Sequence, residues 1–143
     1  MKKYKTGYTA GVYDMFHVGH LKILRQAKEM CDFLVVGITT DELSLKKKNK
    51  LPVIPYEERV EIVEAIKYVD KVIPQEDSNK VLAHDIIDFD VIFVGDDWKG
   101  TEVWNNYENE FKKMGVDVVY FPYTKVTSST MLREKLLNIP ENK

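Results

Sequence analysis

The sequence is poor in the features that mark several protein classes. It has one cysteine, Cys31, in 143 residues. That excludes an intramolecular disulfide and leaves no thiolate set for a structural zinc. Long hydrophobic runs are missing: Phe33 to Ile38 and Val91 to Val94 have the length of strands and cannot span a bilayer. No apolar segment follows the opening lysines Lys2 and Lys3, so no signal peptide is expected. Neither sign of charge dominates, with 21 basic and 23 acidic residues and a net charge of −2. A balanced surface gives no general attraction to nucleic acid or to a membrane. The expected setting is therefore a reducing cytosol, with no nucleic-acid or membrane partner. Any phosphate must be held by a local cluster.

What is present points to one compact domain. A hydrophobic fraction of 44% supports a real core, and the length fits a single domain over residues 1–138, with 139–143 as a frayed tail. Apolar runs of strand length alternate with helical spacing. Tyr4 to Ala10, Phe33 to Thr39, Lys71 to Ile73 (stopped by Pro74), Asp90 to Val94 and Val116 to Phe121 read as strands. Between them, helical patterns run from about Leu21 to Lys28, over Tyr56 to Val69, Asn79 to Asp88 and Trp104 to Met114, and finally over Ser128 to Leu137. Ser44 to Pro52 reads as a basic loop. Repeated strand-then-helix order predicts an α/β fold, a doubly wound parallel sheet of Rossmann-like type.

The segment richest in chemistry is Gly11 to His20, GVYDMFHVGH, which follows the first strand and leads into the first helix. In a parallel sheet, ligands bind beyond the carboxyl ends of the strands. Two of the three histidines in the chain stand here as His17-x-x-His20, a spacing that turns both imidazoles the same way on an opening helical turn. Gly19 permits close approach to the backbone, and the N–H groups and dipole of the helix start favour an anion. The bland readings are a structural histidine or a metal pair, the latter needing further ligands such as Asp14. Asp14 also suits an Asx turn.

GVYDMFHVGH resembles the G-x-F-D-x-x-H-x-G-H signature of the cytidylyltransferase-like nucleotidyltransferases, with Tyr13 for the usual Phe and Val12 for the common Thr. The resemblance continues through FLVVGITTDEL, PYEERVEIVEAIKYVDKVIP and DVIFVGDDWKG. GDDWKG is most similar to the glycerol-3-phosphate branch of the family. The resemblance implies transfer of CMP from CTP to a small phosphorylated alcohol, with glycerol 3-phosphate the first candidate and ethanolamine phosphate, choline phosphate, another polyol phosphate or a phosphonate as alternatives. It also implies Mg²⁺ carried by the triphosphate and a homodimer. His17, His20 and Lys47 would be the catalytic groups. Ala10, Gly11, Val12, Asp14, Gly19, Gly95, Asp96, Trp98, Thr124, Ser128 and Ser129 would line the nucleotide, and Lys47, Arg59 and Lys125 the acceptor. No residue is assigned as a metal ligand.

One signature departs from the family. Where R-T-E-G-I-S-T is expected, the chain reads Tyr123 to Thr130, YTKVTSST, with Tyr123 at the arginine position and Val126 at the glycine. Tyrosine has no guanidinium fork; Lys125 would supply a point charge instead. Two rivals follow: an adenylyltransferase of the same superfamily, since a histidine pair binds phosphates without reading a base, and a nucleotide-binding module without catalysis.

Overall fold

The computed structural model describes residues 3–122 and 129–137. Five parallel strands, β1 (Tyr4–Gly11), β2 (Cys31–Thr39), β3 (Lys71–Gln75), β4 (Val91–Gly95) and β5 (Asp117–Phe121), form one sheet in the order β3-β2-β1-β4-β5. The helices are α1 (Val18–Met30), α2 (Asp41–Lys48), α3 (Tyr56–Glu64), α4 (Lys80–Ile86), α5 (Glu102–Lys113) and α6 (Ser129–Leu137). This is the expected doubly wound architecture.

The strands bury both faces by alternation. In β2, Leu34, Val36 and Ile38 join Leu24 and Ala27 of α1 and Val63 of α3 in one core. Val35 points the other way, into a second core with Ala83 of α4 and Trp104 and Phe111 of α5. Val91 and Phe93 divide from Ile92 in the same manner along β4. Period-two alternation inside nearly continuous apolar runs is what a sheet covered on both sides requires. Among the described residues, no helix is long and apolar enough to cross a membrane.

The largest departures from expectation are at three element boundaries. The stretch expected as a basic loop, Ser44 to Pro52, is helical through Lys48 as part of α2. Its helix is favoured by caps and charge: Thr40 accepts the Leu43 N–H, Asp41 and Glu42 stand in the first turn, and Lys46 to Lys48 stand in the last. Asn49 closes it in the left-handed region at φ 56°. β3 passes through Pro74 to Gln75, because it is an edge strand, where a missing N–H is tolerated. α3 ends at Glu64, and turns rather than helix carry the chain to Val69.

Candidate functional site

The sheet order reverses at β1, which lies between β2 and β4. The β1–β4 ladder includes the Thr9–Phe93 rung, so two residues later both strands arrive at glycines, Gly11 and Gly95. From there the chain enters GVYDMFHVGH on one side and GDDW on the other. Such a switch point opens a crevice at the carboxyl edge of a parallel sheet.

The first of these turns is bent tightly and held from outside. Tyr13 and Met15 both take left-handed backbone angles, φ 54° and 49°, each a strain of about 1–3 kcal/mol for residues of this kind. Asp14 between them is buried, and its carboxylate accepts the N–H groups of Val53 and Ile54, both at 2.8 Å. It therefore clamps a distant loop to the motif, and these bonds are not those of a local Asx turn. Arg59 completes the frame. Its side chain is 1% exposed, and it donates to the carbonyls of Ile54 (2.9 Å), Val12 (2.7 Å) and Thr39 (2.8 Å) and to the Asp41 carboxylate (2.6 Å). The guanidinium expected beside the acceptor is thus turned inward, where it ties the motif, the end of β2, the 50–55 loop and α2 together. Asp41 is the partner that sequence reasoning missed. The run GITTDEL, an apolar strand ending in Thr-Thr-Asp-Glu, carries a helix-start signature that marks it.

The two histidines cap α1 with their own rings. His17, the N-cap, accepts the Gly19 N–H on Nδ1 at 3.0 Å, and His20 accepts the His17 N–H on Nδ1 at 3.2 Å. A ring nitrogen that accepts carries no proton, so the neutral imidazoles hold theirs on Nε2. The rings stack 4.0 Å apart at 29°, and each keeps its Nε2–H as a donor not used in the cap. The backbone N–H groups of His17 and Gly19, expected to face a phosphate directly, are taken up in these caps.

Tyr13 and Phe16 lie 5.3 Å and 5.2 Å from the His20 ring. Burial pushes His20 down to about 4, aided by the neighbouring His17 and opposed by Asp14; burial lowers His17 as well. Both rings are therefore neutral donors at pH 7. The same depression makes stability depend on acid. Above the ordinary histidine value of 6.5 neither state takes up a proton at His20. As pH falls from 6.5 toward 4 the unfolded chain binds it and the folded chain does not. Urea denaturation at pH 7.5 and pH 4.5 should show a loss of about 2–3 kcal/mol from this group. His20→Asn should flatten that part of the profile.

The remaining candidates divide by position. Ala10 and Gly11 end β1 at the crevice, and the Val12 carbonyl is held by Arg59. Lys47 stands exposed in the last turn of α2. Asp96 to Trp98 form a 3₁₀ turn directly after β4. Trp98 is 50% exposed, so it is not a core residue; Trp104 fills that role. A Cβ at Gly95 would lie 2.6 Å from the Asp97 Oδ1, so the exposed Asp97 carboxylate would have to turn aside. Tyr123, Thr124, Lys125, Val126 and Ser128, with the tail 139–143, lie outside the described residues, as does the side chain of Ser129 at the start of α6.

Comparison with known proteins agrees with this geometry. The family model described as cytidylyltransferase-like matches residues 8–135. The glycerol-3-phosphate cytidylyltransferase of Bacillus subtilis (strain 168) is 41% identical over 133 residues, spanning 92% of this chain and 96% of that protein. An FAD synthase of Thermococcus kodakarensis is 38% identical over 120 residues, 79% of this chain and 76% of the relative. Among solved structures, the lipopolysaccharide core biosynthesis protein of Thermoplasma volcanium GSS1 superposes with a TM-score of 0.71 at 24% identity. It covers 87% of this chain and 99% of its own, a likeness of fold.

Proposed function

The chain belongs to the cytidylyltransferase-like family and is a nucleotidyltransferase, and we propose that it transfers CMP from CTP to glycerol 3-phosphate with release of pyrophosphate. One observation carries the mechanism. The Nδ1 atoms of His17 and His20 accept backbone N–H groups, and the two stacked rings at the start of α1 keep their Nε2–H groups as donors for a ligand.

In this reading a phosphate oxygen of the acceptor attacks the α-phosphorus of CTP in line. The new P–O bond forms as the bond to the β-phosphate oxygen breaks, and that oxygen leaves on pyrophosphate. The protein's work is positioning and charge stabilisation. The Nε2–H groups of His17 and His20 donate to α-phosphate oxygens as charge builds there. Lys47 adds a point charge, and Gly95 to Trp98 border the nucleoside. Ala10, Gly11, Val12 and Asp14 shape the turn beneath it, while Thr124, Ser128 and Ser129 meet the nucleotide and Lys125 the acceptor. Among the described residues no three His, Cys, Asp or Glu groups converge as a metal cage, and both Asp14 oxygens already accept backbone N–H groups. Mg²⁺ carried on the incoming triphosphate would neutralise phosphate charge. A homodimer in a reducing cytosol completes the proposal, supported by resemblance to the family and by a single, buried cysteine.

The test is pyrophosphate release with CTP or ATP, Mg²⁺ and a panel of phosphorylated alcohols. CTP with glycerol 3-phosphate should be the productive pair. The similarity to an FAD synthase favours including ATP; faster turnover with ATP would replace the cytidylyl reading by an adenylyl one. Nucleotide binding without turnover on any acceptor would leave a binding module.

A further inference from the structure

Buried polar side chains cross the sheet on the face packed by α4 and α5. Tyr8 of β1 is fully buried in the core with Val35, Ile73 and Phe89, and its ring stacks on Phe89 at 4.9 Å and 11°. Its hydroxyl reaches past β2 and donates to Oε1 of Gln75, the last residue of β3. Gln75 is itself buried, and its Nε2 donates to the Asp77 carbonyl in the connection to α4. A carbonyl can only accept, so the amide nitrogen faces Asp77 and the amide oxygen is left for the phenol. Burial raises the Tyr8 phenol, which keeps the proton that it donates.

Gly37 of β2 makes this crossing possible. A Cβ there would collide with the Tyr8 hydroxyl and lie 2.8 Å from the ring carbon that bears it. A ring packed against Phe89 in a dense core cannot swing aside, so β2 carries a glycine where the tyrosine passes. The connection that Gln75 grips is held a second time. Tyr107 of α5 donates to the Ser78 carbonyl at 2.9 Å and accepts the Lys80 N–H at 3.4 Å, where α4 begins. Glu76 to Asn79 contains no apolar side chain. Burial therefore does not fix its path, and these two grips set it.

We propose that Gln75, oriented by Tyr8, is a positioning residue that sets the β3–α4 connection against the acceptor. In the proposed reaction the nucleotide lies over β1 and β4, and the connections leaving β2 and β3 border the other substrate. The assignment rests on the nucleotidyltransferase reading and deepens it. Gln75 touches no reactant and acts through the backbone at Asp77.

Gln75→Met, the double variant Gln75→Met/Tyr8→Phe and the wild type should be compared by steady-state kinetics and urea denaturation. Methionine keeps the volume and drops the amide. Gln75→Met should raise KM for glycerol 3-phosphate about fivefold and leave KM for CTP within about twofold. It also leaves the Tyr8 hydroxyl buried without an acceptor, which should lower the urea midpoint. Adding Tyr8→Phe removes that hydroxyl and should restore the midpoint, since water reaches the exposed Asp77. KM for the acceptor should stay raised in the double variant, because nothing regains hold of the connection. A KM that recovers with the midpoint marks a merely structural pair and overturns the assignment. An unchanged acceptor KM, or equal rises for both substrates, does the same. If the wild type turns over no acceptor, the proposed function fails on its own. Amide hydrogen exchange over residues 76–80 then decides the anchor: faster exchange in both variants upholds it, and wild-type rates in either end it.

Discussion

Replacing His17 by asparagine should lower kcat about 10²–10³-fold while the protein stays folded. The two nitrogens of this ring do separate jobs. Nδ1 accepts the Gly19 N–H and starts α1, whereas Nε2 points outward beside its His20 counterpart. Asparagine places an oxygen near the Nδ1 position, so the cap survives. Its side chain is too short to present a donor where Nε2 stood, so the developing charge on the α-phosphate loses a partner. Glutamine has the reverse geometry: it reaches the outer position and abandons the cap, so His17→Gln should lose about 1 kcal/mol of stability and retain more turnover than asparagine. Melting temperatures and pyrophosphate release, measured on both variants, check the split. Full activity in His17→Asn would remove the histidine pair from the chemistry.

Arg59→Met should be the most damaging single change to stability, at about 3–5 kcal/mol by urea denaturation. Methionine fills much of the volume but leaves the carbonyls of Val12, Thr39 and Ile54 without their donor. Buried acceptors left unmatched cost about 1–3 kcal/mol each. Asp41 is 31% exposed, so water compensates it in part, and the carbonyls carry most of the loss. The same variant should raise KM for CTP, because Val12 sits in the turn that delivers the histidines. Arg59→Lys should fall between the two proteins, since an ammonium retains charge but cannot span four acceptors in one plane. A loss below 1 kcal/mol would show that water replaces the guanidinium.

The fold was legible wherever a local pattern matched its period. FLVVGIT and DVIFV could only be strands covered on both sides, and their alternation with helical stretches fixed the layer order. α2 was less visible because SLKKK has almost no apolar face; its helix comes from a threonine cap and charges matched to the dipole, which a hydrophobic pattern does not register. Pro74 read as a stop because only the strand order reveals that β3 lies on an edge.

The site followed the same division. His17-x-x-His20 marked the candidate site in the sequence, and the two rings do lie together. That each ring caps the helix, and so fixes which nitrogen bears the proton, depends on distances of a few tenths of an ångström. Asp14 and Arg59 were both placed at the ligand on sequence grounds. Asp14 bonds backbone 39 and 40 positions away and Arg59 reaches the Val12 carbonyl 47 positions back, and no local motif reports such contacts.

In the proposed reaction the ring nitrogens that begin α1 belong to the same side chains that meet the nucleotide, which sets two selective demands on this stretch at once. Drift at His17 toward asparagine satisfies the helix and silences the enzyme, so a decayed duplicate of this gene would yield a well-behaved, inert protein.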